Sequence, residues 1–355
     1  MMNRRNLLIL AGALVVLVGL SFLTTKARYS TTRGGGFENV LGSKPDTGQI
    51  QSIKAWIGEK PDSSVVLERA GDGWTIPSRY GWKAKTDLVQ QLLDDLSDMK
   101  GEIRSSKAEV LPDYQIDDQK GLHVVAASTG GNELFHLVAG KSAAQGGSFV
   151  RREGSNNVFM TRSSLRSTFG VWGDTPRPPD AKRWINLEVQ KAERNDVDKI
   201  VLHSKGEETV LQKEFAPPAP KPPPPDQAPA ATDSAAAAAA AAVPSIDRTN
   251  WTWKKDARGE IDKGKADSIL GTLCSLYAAE VADPAKVDEY GFGPQAKVAE
   301  VTFADGHTTR VEFGKEIDDG KKVYFRVDGG MPAEIYKSSV DRIFQSRKEL
   351  SPQKK

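Results

Sequence analysis

Cysteine is nearly missing from this chain. Cys274 is the one thiol in 355 residues, which excludes an intramolecular disulfide and any multi-cysteine metal site. Histidine is almost as scarce, occurring at 123, 136, 203 and 307. No two of these have the i, i+4 spacing of a helical zinc site and no H-E-x-x-H occurs, so each reads as an ordinary surface or half-buried residue and no metal is expected. An excess of one charge is also missing. Lys+Arg number 49 against Asp+Glu 47, and a pI near 8.4 without a clustered basic face gives no footprint for nucleic acid. The phosphate-loop and dinucleotide glycine patterns are absent, as is the G-x-S-x-G elbow. No nucleotide or other cofactor is expected, and the chain reads as a non-enzyme.

Long apolar runs are scarce as well, with one exception. Leu7–Leu23 is uncharged over 17 residues and follows the basic segment Asn3-Arg4-Arg5-Asn6. At about 1.5 Å per residue it spans roughly 26 Å, against a hydrocarbon core of about 30 Å. The favoured reading is a retained transmembrane signal anchor over residues 7–23, with residues 1–6 as its cytoplasmic flank; the alternative is a cleaved signal peptide. Under the first reading the protein is a single-pass protein of a bacterial inner membrane, with most of the chain outside the cytoplasm. Residues 24–49, rich in Thr, Gly and charge, read as a flexible stalk.

What is abundant is self-similarity. Ser148–Phe169 (SFVRREGSNNVFMTRSSLRSTF) and Val323–Phe344 (VYFRVDGGMPAEIYKSSVDRIF) share Arg151 and Arg326, Ser163-Ser164 and Ser338-Ser339, and Phe169 and Phe344 at one offset of 175 residues. The expected organisation is repeat module one at 50–169, a proline-bearing connection at 170–196, repeat module two at 197–344 and a polar tail at 345–355. In module one, Ile53, Ala55 and Ile57 alternate as in a strand, and Ser64–Arg69 leads through the Ala70–Gly73 turn into Trp74-Thr75-Ile76. Leu88, Val89, Leu92, Leu93, Leu96 and Met99 then give the main helix, capped by Thr86 or Asp87 and stopped by Gly101. Short strands follow, and Ser163 or Ser164 caps a closing helix. Module two repeats the order, with Ser338 as its cap. Residues 215–250, containing Pro217–Pro225 and eight alanines at 235–242, form a Pro/Ala-rich insert read as a disordered spacer. It falls where module one has its tight hairpin turn. The fold class is therefore α+β: two tandem repeats of a mainly antiparallel sheet, each of about six strands with one main helix and a short closing helix, preceded by one transmembrane helix.

Few residues stand out as chemistry. Arg151 and Arg326 recur at equivalent places, which fits a structural salt bridge or, more sharply, a symmetric anion contact. Trp74, Trp251 and Trp253 offer a ligand platform or, more commonly, core packing of the hairpin. Cys274 reads as a small core residue rather than a nucleophile. Asp94, Asp95 and Asp98 form a solvated helix face, and the serine pairs fit helix capping.

Taken together, Val65–Arg69, Gly71–Pro77, Leu88–Leu96, Tyr290-Gly291, and Tyr324–Val327 with Ser338-Ser339 resemble the bacterial domain of unknown function 4340. The resemblance spans roughly residues 50–345 and is structural rather than catalytic. It departs at Tyr114, which is followed by Gln115 instead of Gly, and at the 215–250 insert. Members of that family are typically encoded beside gliding-motility-like ABC transporter permease and auxiliary subunits. The resemblance thus implies a non-catalytic accessory protein of an ABC-type transport or surface-assembly complex, with the permease or auxiliary subunit as partner and membrane contact through residues 7–23. Two other classes stand beside it. One is an envelope ligand-binding module with an aromatic groove between the repeats. The other is an envelope enzyme in which the histidines or Cys274 converge with a carboxylate.

Overall fold

Ile53, Ala55 and Ile57 point to one side of their strand and Lys54 and Trp56 to the other, and this parity runs through the ladders on either side. The computed structural model describes residues 36–143, 146–216, 247–255 and 259–352, and the chain divides into two units between Ile185 and Asn186. All described ladders are antiparallel.

The first unit holds a ten-stranded sheet. Edge to edge its strands are Glu38–Asn39, Lys100–Ser105, Val158–Thr161, Ser148–Arg152, Glu133–Ser142, Leu122–Ala127, Ser52–Ile57, Val65–Ala70, Gly73–Ile76 and Trp82–Lys83. The helix Thr86–Ser97 buries Val89, Leu92, Leu93 and Leu96, and touches strand Gly73–Ile76 and the short helix Leu165–Thr168. Fully burying each such side chain stabilises by about 1.5–3 kcal/mol, so this stripe is what fixes the helix. Leu137 and Ala139 are buried, and so is Val138 between them, which requires cover on both faces of that strand. Part of the cover is the loop through Ile116, which packs on Val138 and Val158.

The second unit has an eight-stranded sheet in the order Glu280–Val281, Ala333–Tyr336, Lys322–Val327, Thr308–Ile317, Lys297–Phe303, Val197–Ser204, Glu207–Phe215 and Trp251–Trp253. Strand for strand this order matches the first sheet from Lys100–Ser105 to Gly73–Ile76. The helix Lys263–Leu273 buries Ala266, Ile269, Leu270 and Leu273, and Asp262 caps it by accepting from the Lys265 N–H at 3.0 Å. A two-stranded sheet joins Glu188–Lys191 to Ser275–Tyr277.

One device is built twice. A Cβ on Gly140 would stand 2.1 Å from the Tyr114 carbonyl oxygen, and one on Gly314 would stand 2.1 Å from that of Tyr290. Each glycine lets a tyrosine-bearing loop cross directly over the sheet. The residue after each tyrosine is left-handed, Gln115 at φ 55° and Gly291 at φ 76°. A non-glycine residue pays about 1–2 kcal/mol for that geometry. Gln115 offsets it by holding buried Arg166, whose Nη1 donates to Gln115 Oε1 at 2.6 Å.

Several expectations need correction. Among the described residues no helix is long and apolar enough to cross a membrane, so the α+β class preceded by a transmembrane helix gives way to largely antiparallel sheets without one. The proposed anchor at 7–23, like most of the 215–250 insert, lies outside the described residues. The sheets also exceed six strands per module, because two-residue strands such as Glu38–Asn39, Trp82–Lys83 and Glu280–Val281 are too short to show alternation. The stalk assigned to 24–49 includes part of the first sheet: Asn39 pairs with Lys100, and the buried Val40 donates its N–H to the Met99 carbonyl at 2.9 Å. The tail assigned to 345–355 includes a helix, Arg347–Leu350, held by a Ser346/Glu349 capping box with Leu350 fully buried. Gly101 does not stop the main helix; it sits in a strand where a Cβ would meet the Phe159 side chain at 2.8 Å. The N-cap of that helix is Lys85 and that of Lys337–Ile343 is Tyr336, neither with a side-chain bond, whereas Ser164 does accept from the Ser167 N–H.

Candidate functional site

The densest cluster of titratable side chains in the first unit lies on the sheet face bearing Trp56. Cross-strand register sets Trp56 opposite His123, His123 opposite Val138, and Val138 opposite Arg151, placing their side chains on one face. His136, opposite Val125, joins them diagonally. The indole of Trp56 stacks on the His123 ring at 5.0 Å and 5°. His123 Nδ1 and His136 Nε2 stand 2.9 Å apart, sharing a hydrogen bond whose donor depends on the tautomer. His123 is 6% exposed, and its Nε2 has no hydrogen-bond partner. Burial pulls both imidazole pKa values below the ordinary histidine value, which keeps the rings neutral near pH 7.

Arg151 anchors the edge of this cluster. Its guanidinium pairs with Asp118 at 2.6 Å and Glu153 at 3.1 Å, and its Nε donates to the Ile116 carbonyl at 2.7 Å. The buried cation thereby ties the covering loop to the sheet. His123, His136 and Glu153 each offer a donor atom within 4.8 Å of the other two. In the second unit the corresponding surface is a charged ladder: Arg326 pairs with Glu312 at 2.6 Å and lies over the Phe292 ring at 4.6 Å, while Arg310 bridges Glu300 and Glu312. His203 occupies the strand position equivalent to Trp56, near Glu208 and Glu300. Arg151 and Arg326 are thus both ion-paired, in different settings.

A second feature belongs to the second unit. A cleft of about 440 Å³ is lined by Arg194, Gly271, Tyr277, Tyr336, Ser339 and Arg342 among others. Tyr277 and Tyr336 are 53% and 58% exposed, unusual for such large rings. Arg194 and Arg342 are exposed and make no ion pair with any described residue. A Cβ on Gly271 would meet the Arg194 guanidinium at 2.4 Å, so the missing side chain lets Arg194 lie across the helix. The cleft combines aromatic faces with unpaired positive charge.

The tryptophans fall apart into different roles. Trp74 is 7% exposed within the first unit, with the Arg69 guanidinium 5.0 Å from its ring. Trp251 and Trp253 meet edge to face at 5.2 Å in the second unit, and their N–H groups donate to Asn195 and Asp267. Lys213 is buried over the Trp251 ring at 4.0 Å and donates to the Arg194 carbonyl; burial pulls its pKa down to about 8. Cys274 is buried at the end of helix Lys263–Leu273, and burial pushes its thiol up to about 11, leaving it protonated and unreactive as a nucleophile.

The histidine pair matches no helical metal-site spacing because its spacing belongs to a hairpin. The signal was there: pairing Leu122–Ala127 against Glu133–Val138 sets 123 and 136 on one face by parity alone. Tyr336 likewise alternates with the buried Ile335 and had to point outward.

Neither the comparison with curated proteins nor that with solved structures gave a match. A family model does match, over residues 74–243, and its description is a domain of unknown function. That stretch takes in the Trp74 hairpin strand, the main helix, the histidine pair and the first strands of the second unit. Over residues 74–243 the chain matches the DUF4340 family.

Proposed function

We propose that this protein is a non-catalytic accessory subunit of an ABC-type transport or surface-assembly complex, working outside the cytoplasm and docking on a permease or auxiliary subunit. The observation that carries this reading is the cleft between Tyr277 and Tyr336, where two exposed rings flank the unpaired Arg194 and Arg342. Tyr and Arg are the residue types enriched where protein interfaces hold their binding energy. The charge selects an acidic segment of the partner as occupant, since carboxylates can take both guanidinium forks. The family match over residues 74–243 supports the reading through the transporter context the resemblance implies.

The test is affinity capture of the full chain from detergent extracts of the native bacterium, beside a Y336A/R342E variant. The expected result is recovery of a transporter permease or auxiliary subunit with the wild type and at least about tenfold less with the variant, the loss of one interface anchor. Recovery of soluble envelope glycans without a transport subunit, or equal capture by both proteins, overturns it.

A further inference from the structure

We infer that His123, His136 and Glu153 form a binding site for a divalent first-row transition metal ion, with zinc as the ion to test. This inference is independent of the docking cleft, which lies in the other unit.

Geometry carries the inference. The ring nitrogens His123 Nδ1 and His136 Nε2 face each other at 2.9 Å, and His123, His136 and Glu153 each offer one donor atom within 4.8 Å of the other two. Zinc bonds of about 2.0–2.1 Å in a tetrahedron separate ligand atoms by roughly 3.3 Å, so the two nitrogens need to part by only a few tenths of an ångström. Two neutral imidazoles facing each other can share one proton; a metal ion in its place uses both lone pairs.

The surroundings favour a cation. Arg151 brings one positive charge, but Asp118 and Glu153 answer it with two negative ones. These three charged groups sum to one negative charge. Glu153 would turn from Arg151 toward the metal, leaving Arg151 with Asp118 and the Ile116 carbonyl. Trp56 stacked on His123 fixes one ring plane, as the orienting neighbours of metal-binding histidines do. His123 is more than nine-tenths buried, so its Nδ1 is held in place facing His136. Glu153 and His136 reach solvent, so a water can complete the coordination. The ligands come from strands Leu122–Ala127 and Glu133–Ser142 and from the residue after Ser148–Arg152, and a bound ion would clamp three neighbouring strands.

The experiment is calorimetric titration of the metal-stripped full chain with zinc, repeated on H136Q, E153Q and a surface control, H307Q. Wild type and H307Q should take up one ion per chain, H136Q should lose this uptake, and E153Q should bind at least about tenfold more weakly. Saturating zinc should raise the melting temperature of wild type by about 5 °C or more, and not that of H136Q. Absence of uptake by wild type, or wild-type affinity in H136Q, overturns the inference. Should H136Q fail to fold, cobalt bound to wild type decides: intense visible bands of a four-coordinate nitrogen-containing site support it, and the spectrum of hexaaqua cobalt refutes it.

Discussion

Gly140→Ala is the smallest change that should break the first unit. The added Cβ would sit 2.1 Å from the Tyr114 carbonyl oxygen and 2.5 Å from Ile116 Cγ2. Non-bonded carbon contacts relax near about 3.5 Å, so the loop must retreat by roughly 1.4 Å, and a backbone carbonyl cannot swing aside as a side-chain tip could. Retreat uncovers Ile116, fully buried against Val138 and Val158, at a cost of about 1.5–3 kcal/mol. It also stretches the 2.7 Å bond from Arg151 to the Ile116 carbonyl, a charge-assisted contact valued at about 1.5–3 kcal/mol. With partial relaxation the expected loss is about 3 kcal/mol, or roughly 6–12 °C in melting temperature for a unit of this size. Urea unfolding followed by circular dichroism measures the loss, and hydrogen exchange locates it by faster exchange in residues 107–121 while the second unit stays protected. Gly314→Ala should mirror the effect there, because its Cβ meets the Tyr290 carbonyl at the same 2.1 Å. A loss below about 1 kcal/mol for Gly140→Ala, with an unchanged denaturant slope, would refute the close-crossing argument.

Other expectations follow from the same contacts. Gln115→Gly relieves a left-handed φ but removes one of the two acceptors of the buried Arg166, so it should destabilise by about 1–2 kcal/mol in chemical denaturation despite matching the Tyr-Gly pattern of the second unit. Lys213 has a folded pKa lowered to about 8, so between about pH 8 and 10.5 the unfolded chain binds the extra proton and stability rises with pH. Relative to Lys213→Met, wild type should gain about 2–3 kcal/mol across that window in parallel melts, and a constant difference would contradict it. Cys274, buried with its thiol near pKa 11, should resist iodoacetamide at pH 8 in the native protein and react in urea, as mass spectrometry would show.

Periodic burial was readable; placement of chemistry was not. The stripe Val89, Leu92, Leu93, Leu96 announced its helix because one face had to be covered, and the Gly71-Asp72 turn announced a hairpin because few residues accept the left-handed backbone of Gly71. Polar groups whose partners are distant in the chain left no such trace. Arg151 looked like one half of a repeated pair, yet its partners Asp118 and the Ile116 carbonyl belong to a loop whose path rests on Gly140. Helical spacing does not connect the two histidines, because strand parity is the rule that brings them together. Leu350 lay in a segment too polar and short to show a period, and only its burial and the Leu350 carbonyl's bond from the Asp262 N–H reveal it as part of the fold.

The hairpin that carries the long insert has a further consequence. Phe215 pairs with Trp251, and the Ala216 N–H reaches the Asn250 carbonyl at 3.0 Å, so the chain leaves and re-enters the second sheet at one point. In the first sheet the same two strands are joined at Ala70 and Gly73 by a tight turn. The two strand ends are thus closed on each other, and lengthening the connection between them adds a closure entropy of only about 0.6 kcal/mol per doubling of length. This hairpin is therefore the natural port for a tag, a reporter or a second domain.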